Sequence, residues 1–351
     1  MTVTSPAAPA AEPSVRISGL TRTFGDVTAV DRVELAIASG AVYGLLGPDG
    51  AGKTTLIRML ATVLDADSGD AFVHGASVRS QTGQVRPRIG YMSQKFSMYP
   101  DLTVDENVDF FARMRGVPRA VRRRRGPQLL ASMGLAEFGK RHSQFLSGGM
   151  KQKLMLATTL MHAPDVLLLD EPTTGVDPVS RREFWRILAG LHREGRTVLV
   201  ASPYMDEAER CTQIAFMDGG RIRHQGTPDQ IKDLVPGTLF EVASANPRAA
   251  LAAVHDLPGV TSAHLYGDIV RVLWDGRPLG NPDEGGRPID KLGEPDQPLH
   301  PQSPSKGAKE LADALDAAGV PAELRVVRPD MEAAFAFLAE AEQHRPAAAV
   351  A

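Results

Sequence analysis

The densest chemistry in the chain lies in "GPDGAGKT", Gly47 to Thr54, which fits the spacing G-x-x-x-x-G-K-[ST]. An apolar stretch, "AVYGLL", leads into it and an amphipathic one, "LIRMLATVL", follows, so the segment joins a buried strand to a helix. Gly47, Gly50 and Gly52 let the backbone fold until successive N–H groups face a phosphate. Pro48, Asp49 and Ala51 complete the loop, and Thr55 carries the same candidate nucleotide site into the helix. That helix, starting near Lys53, turns its positive end toward the same anion. Lys53 supplies a mobile charge for the β- and γ-phosphates, and Thr54 a hydroxyl for Mg2+.

Two further segments carry matching chemistry. In "VLLLDEP", Val166 to Pro172, four apolar residues bury a strand, and Asp170 emerges at its carboxyl end, where ligands bind in open α/β sheets. Asp170 can hold a metal directly or through water. Glu171 is placed to polarise an attacking water as a general base. In "LSGGMKQ", Ser147 can cap a helix while Gly148 and Gly149 leave its first amides unhindered, a second anion-binding helix start. One explanation for two such starts is a dimer, in which Ser147 of one subunit covers a nucleotide held by the other's loop.

The elements that must position these residues read as a largely parallel α/β sheet. Residues 15–37 alternate as two strands around a Gly25-Asp26 turn. Apolar strands recur at Ile89–Met92, Val166–Leu169, Val198–Ala201 and Ile214–Met217, with helical stretches between most of them. Residues 105–157 read as a mostly helical insert, broken at Gly116-Val117-Pro118 and again at Gly126-Pro127. From Leu239 the pattern becomes strand, helix, strand, strand, then helix, strand, helix, that of a small ferredoxin-like α+β domain spanning 239–342. Residues 1–14 and 343–351 are expected to be disordered, and the Pro-, Gly- and Asp-rich stretch 277–306 to form a mobile loop.

Composition narrows the function classes. With 351 residues, two domains are the better prior. The net charge of -3 gives no reason to expect a nucleic-acid partner. The N-terminus has neither a basic start nor an apolar core of a secretory signal, and no apolar run approaches the ~20 residues that span a bilayer. The single cysteine, Cys211, has no evident activating partner and reads as structural, and no histidine pair has metal-ligand spacing. The run Arg122–Arg125 reads as a solvated helix face.

The order of "GPDGAGKT", Gln94, "LSGGMKQ", "VLLLDEP" and "GVDP" resembles the ATPase subunit of an ABC transporter over residues 15–235. The resemblance implies an α/β P-loop NTPase with a mostly parallel core, an antiparallel β subdomain and a helical insert. It implies ATP and Mg2+ as ligands, with Glu171, Lys53 and Gln94 as the catalytic set and Thr54, Gln94 and Asp170 around the metal. Phe24, just before a glycine turn, would stack on adenine, and Asp177 in "GVDP" would communicate across an ATPase dimer. The stretch after Gln94, "KFSMYPDLTVDEN", would line a groove for a separate ABC-2-type membrane subunit, and "RPDMEAAFAFLAE" resembles the C-terminal extension of drug-export members. The implied location is the cytoplasmic face of the cell membrane, with no membrane span of the chain's own. One cassette without a long coiled coil or basic surplus argues against a soluble ATPase of ribosomes or DNA.

One position departs from the family. Aligning "YMDEAE" places Pro203 where members usually carry a histidine that bonds the γ-phosphate. Proline has no side-chain donor and no N–H, and losing one preorganised donor can cost ~10²–10³ in rate. Two readings stay open. Either the chain is an active exporter ATPase, with Ser202 or water in the histidine's place, or it is a regulatory ATP-binding subunit with weak hydrolysis at its own site. In the second case it would pair with a histidine-containing ATPase rather than with itself.

Overall fold

The computed structural model describes residues 12–274 and 306–343 and divides into two compact units between Asp229 and Gln230. The first unit opens with β1 (Val15–Phe24), β2 (Val27–Ile37) and β3 (Val42–Leu46), followed by α1 (Lys53–Leu60). Next come β4 (Ser68–Val73), β5 (Ala76–Ser77), α2 (Thr82–Val85) and β6 (Ile89–Met92). Three longer helices follow: α3 (Val104–Met114), α4 (Arg119–Ser132) and α5 (Gly148–Leu160). The unit continues with β7 (Val166–Asp170), α6 (Pro178–Arg193), β8 (Thr197–Ser202), β9 (Gln213–Asp218) and β10 (Arg221–Gly226). The short α7 (Pro228–Lys232) spans the division.

Two sheets build this unit. β1 and β2 pair antiparallel from Val15↔Ile37 to Phe24↔Val27, and the sheet runs β2-β1-β4-β5. The second sheet runs β10-β9-β3-β8-β7-β6, parallel throughout except for β10 against β9. Every residue of β3, β7 and β8 is buried, because helices cover both faces of a parallel sheet and leave no polar side for alternation. Parallel pairing also brings the carboxyl ends of β3, β7 and β8 to one edge: Leu46 pairs with Ser202, and Asp170 with Ala201. The chemistry-bearing loops leave the sheet together for that reason.

The second unit contains β11 (Thr238–Ser244), α8 (Pro247–Val254), β12 (Val260–Tyr266) and β13 (Ile269–Trp274). It closes with α9 (Lys306–Ala317), β14 (Ala322–Val327) and α10 (Met331–Gln343). The all-antiparallel order β12-β13-β11-β14 is that of a ferredoxin-like α+β fold, with Phe240, Val242, Val270, Val272, Leu311 and Leu315 in its core.

Several expectations are corrected. Gly126-Pro127 does not break the insert, since α4 runs through Pro127. Gly126 has no Cβ to collide with the proline ring, which removes one of the clashes that push the residue before proline out of the helix, while the missing donor and the crowding of the carbonyl four residues back remain as costs. Ser14, expected in a disordered lead, is buried: its hydroxyl donates to Ser39 at 2.8 Å and accepts from Thr197 at 3.0 Å. Arg122 is not a solvated charge, because it reaches Asp109 at 2.7 Å and the Val117 carbonyl at 2.8 Å. Lys306, placed at the end of a mobile loop, begins α9. The rest of that expected loop, residues 277–305, lies outside the described residues, as do 1–11 and 344–351.

Candidate functional site

The loop after β3 is shaped by close backbone approach. A Cβ on Gly47 would lie 2.0 Å from the Met217 carbonyl, and one on Gly52 2.1 Å from that of Ala29, so no larger residue fits either position. Both also have positive φ, 153° and 104°. Pro48, Asp49 and Gly50 are exposed while Ala51 and Lys53 are buried, and Thr54 and Thr55 are half-buried in the first turn of α1. The Lys53 ammonium donates to the carbonyls of Gly47 at 2.8 Å and Pro48 at 2.9 Å. Burial holds its pKa below the usual lysine range, against the pull of Glu171, Asp49 and Asp170. A desolvated ammonium held by two carbonyls of the loop is poised to receive an anion in their place.

The end of β7 lies across from this loop. Thr54 donates its hydroxyl to Asp170 Oδ1 at 2.8 Å. Asp170 Oδ2 is buried with no partner among the described residues. Burial raises the Asp170 pKa, with Glu171 adding to the rise and the Thr54 bond opposing it. Glu171 has left-handed backbone, φ 48°, a conformation that costs a non-glycine residue about 1–3 kcal/mol unless its surroundings enforce it. Its N–H reaches the Ala201 carbonyl at 3.0 Å. Its Oε2 accepts from Gln94 Nε2 at 2.7 Å and from the Thr174 hydroxyl at 3.1 Å. Thr174 was missed in the sequence, although "DEPTTG" places a second hydroxyl one turn after Glu171.

The other sequence-predicted residues sit apart from this cluster. Phe24 is 47% exposed, so its ring is accessible, and the Arg22 guanidinium lies 4.8 Å from the ring centroid. Ser147 caps α5, accepting from the Met150 N–H at 3.3 Å, with Gly148 exposed and Gly149 buried behind it. Asp177 caps α6 through the N–H groups of Val179 at 3.1 Å and Ser180 at 2.9 Å, and the Ser180 bond leads in lowering its pKa. No hydrogen bond joins Ser147 or Asp177 to Lys53, Thr54, Asp170 or Glu171 among the described residues.

The neighbouring strand ends differently. Ser202 donates to Glu207 Oε2 at 2.6 Å and accepts from the Tyr204 N–H at 3.0 Å. Thr173, two residues beyond Glu171, donates to Glu207 Oε1 at 2.6 Å. Ser202 is therefore already engaged and does not stand in for a donor at Pro203. Glu207, 1% exposed, is a structural carboxylate that the sequence showed as part of an acidic helix.

Comparison with known proteins decides what these loops belong to. A family model described as ABC transporter matches residues 30–174. The daunorubicin/doxorubicin resistance ATP-binding protein DrrA of Streptomyces peucetius is 35% identical over 280 residues, 80% of this chain and 84% of that protein. The chain belongs to the ABC transporter ATP-binding family. A probable multidrug ABC transporter ATP-binding protein of Escherichia coli, YbhF, is 42% identical over 263 residues, 74% of this chain. The chain spans about half, 46%, of that relative's length. Among solved structures, cbiO1 from Clostridium perfringens, described as part of the ABC transporter complex cbiONQ, matches with a TM-score of 0.58 and 27% identity over 63% of this chain and 90% of that one. The dimeric bacterial cassette MJ0796 shares the fold at a TM-score of 0.57 and 24% identity, over 61% of this chain and 98% of that one. No described helix of this ABC protein is long and apolar enough to cross a membrane.

Proposed function

We propose that the chain binds and hydrolyses ATP as the energy-coupling subunit of an ABC exporter of the ABC-2 branch. The observation that carries this reading is the 2.7 Å bond from Gln94 to Glu171 at the exit of β7, beside the Thr54–Asp170 pair. Amides of Gly47 to Thr55 and the Lys53 ammonium would hold the phosphates, and Phe24 the adenine. Glu171, oriented by Gln94 and Thr174, would take a proton from the attacking water as general base. Mg2+ fits the residues present, because Asp170 keeps a buried, unpartnered carboxylate oxygen beside the Thr54 hydroxyl. Asp170, Thr54 and Gln94 would hold the ion, whose chemistry is to neutralise charge on the β- and γ-phosphates.

Ser147, Gly148, Gly149 and Asp177 would act across an ATPase dimer, with Ser147, Gly148 and Asp177 exposed at their helix starts. A separate ABC-2-type membrane subunit would carry the cargo, with the chain on the cytoplasmic face of the cell membrane. The names of DrrA and YbhF suggest drug-like cargo. Residues 15–235 form the ATPase domain in this reading, and 239–342 an accessory domain for dimer contact or regulation. A second reading, an ATP-binding subunit with weak hydrolysis of its own, is favoured by Pro203 together with the engaged Ser202. Reconstitution with the cognate membrane subunit tests the proposal. ATP turnover that rises with that subunit and disappears in Lys53→Ala supports it, whereas a turnover indifferent to both overturns it.

A further inference from the structure

We propose that the ATPase unit carries a second ligand site, for a phosphate-bearing molecule with an apolar body, between α6 and the amino ends of β3 and β9. The cleft there, lined by Val42, Trp185 and Arg210, holds about 570 Å³, in the size class of small-molecule sites. Arg182, Trp185, Arg186 and Ala189 share one face of α6 at spacings of three, four and seven residues. Arg210 enters from the far wall.

Two features of this wall suit a ligand: exposed arginines without a close carboxylate, and a buried tryptophan donor without an acceptor. Arg182 and Arg186 stand one helical turn apart, where like charges destabilise a helix. Neither they nor Arg210 has a carboxylate within salt-bridge distance among the described residues. Glu183, on the same helix, is bonded to Lys153 at 2.5 Å. Arg181 shows what a structural arginine looks like here: it lies 4.1 Å from the Tyr204 ring centroid and 3.8 Å and 4.0 Å from Asp206 and Glu207. The second feature is Trp185. It lines the cleft, is only 4% exposed, and its Nε1–H is buried with no acceptor among the described residues.

A buried donor without an acceptor is costly, and the three exposed guanidinium groups lining the same cleft, of which Arg186 also acts on Glu183, suit an oxyanion. Arginine forks suit the several oxygens of a phosphate, which can take more than one of them at once. Val42, Leu188 and Ala189 add apolar lining for the rest of the molecule. The site is separate from the phosphate loop. Val42 begins β3 and the loop follows Leu46, so the length of the strand, ~13 Å at its usual rise, lies between them.

Fluorine NMR of the full chain labelled with 5-fluorotryptophan tests the site, because Trp185 and Trp274 are its two tryptophans. Trp274→Phe assigns the signals, and Trp185→Phe assigns them equally if the first variant fails to fold. Pyrophosphate, AMP and vesicles of phosphatidylglycerol are the probes, in a Lys53→Ala background that weakens the phosphate loop. The expected result is a saturable shift of the Trp185 signal, with an affinity about tenfold or more lower in Arg182→Gln/Arg186→Gln. A shift with the soluble probes points to a free phosphate and a shift with vesicles alone to a lipid headgroup, and either supports the site. The double substitution should leave Tm unchanged or raise it. No shift with any probe, a shift that survives the double substitution, or a clear fall in Tm would each overturn the proposal.

Discussion

β7 and β8 are adjacent, parallel and wholly buried, yet their carboxyl ends are built in opposite ways. At the end of β7, Asp170 keeps an unpartnered buried oxygen and Glu171 takes a left-handed backbone. At the end of β8, Ser202, Tyr204, Thr173 and Glu207 close a set of hydrogen bonds that engages the Ser202 hydroxyl next to Pro203. One end holds unsatisfied charge and strain, and the other is relaxed. Thr173 belongs to the loop after β7, so the relaxed end also anchors the strained one. Under the proposed function this would divide labour: β7 would supply the reacting groups, and β8 buttresses the loop that presents them.

Three substitutions and one labelling measurement break or sharpen that contrast, taken from the largest expected effect to the smallest. Lys53→Ala should lower ATP affinity about 10–100-fold, as lost charge-assisted bonds worth ~1.5–3 kcal/mol imply. Isothermal titration measures it, and unchanged affinity would remove Lys53 from the site. Glu207→Ala leaves two buried hydroxyls without their acceptor and should cost about 2–3 kcal/mol of stability. Urea denaturation reads the loss, and a cost near zero would deny the buttress. Pro203→His supplies the side-chain donor that family members usually carry at this position and should raise steady-state turnover about tenfold, less than the full value of a preorganised donor. No rise would mean that β8 contributes nothing even with the usual side chain. Cys211 should resist iodoacetamide in the native protein at neutral pH, since burial pushes its thiol pKa up to about 12. Mass spectrometry after brief exposure would show modification if that burial were absent.

The sequence made the strands and the phosphate loop legible for a physical reason. Continuous apolar runs such as "VLLLD" mark doubly covered strands, and "GPDGAGKT" combines backbone freedom, a cation and a hydroxyl in one segment. The ferredoxin-like order was readable because its strands and helices change period cleanly. Long-range pairing was not. "MDEAE" has the composition of a solvated helix, and only the fold brings Glu207 under Thr173 and Ser202. Gly126-Pro127 misled for a related reason. Each residue alone disfavours a helix, whereas together the glycine lacks the Cβ that a following proline would crowd. The strain at Glu171 also follows from its place between β7 and β8 rather than from residue type.

Glu171 is the group proposed to activate water. Phosphate release by the purified ATPase with its membrane subunit, compared between wild type and Glu171→Gln with ATP affinity measured alongside, tests this most directly. The substitution keeps size and hydrogen bonding but removes the base. A fall of about 10²–10⁴-fold in turnover with affinity preserved is expected. Turnover equal to wild type in Glu171→Gln would contradict it.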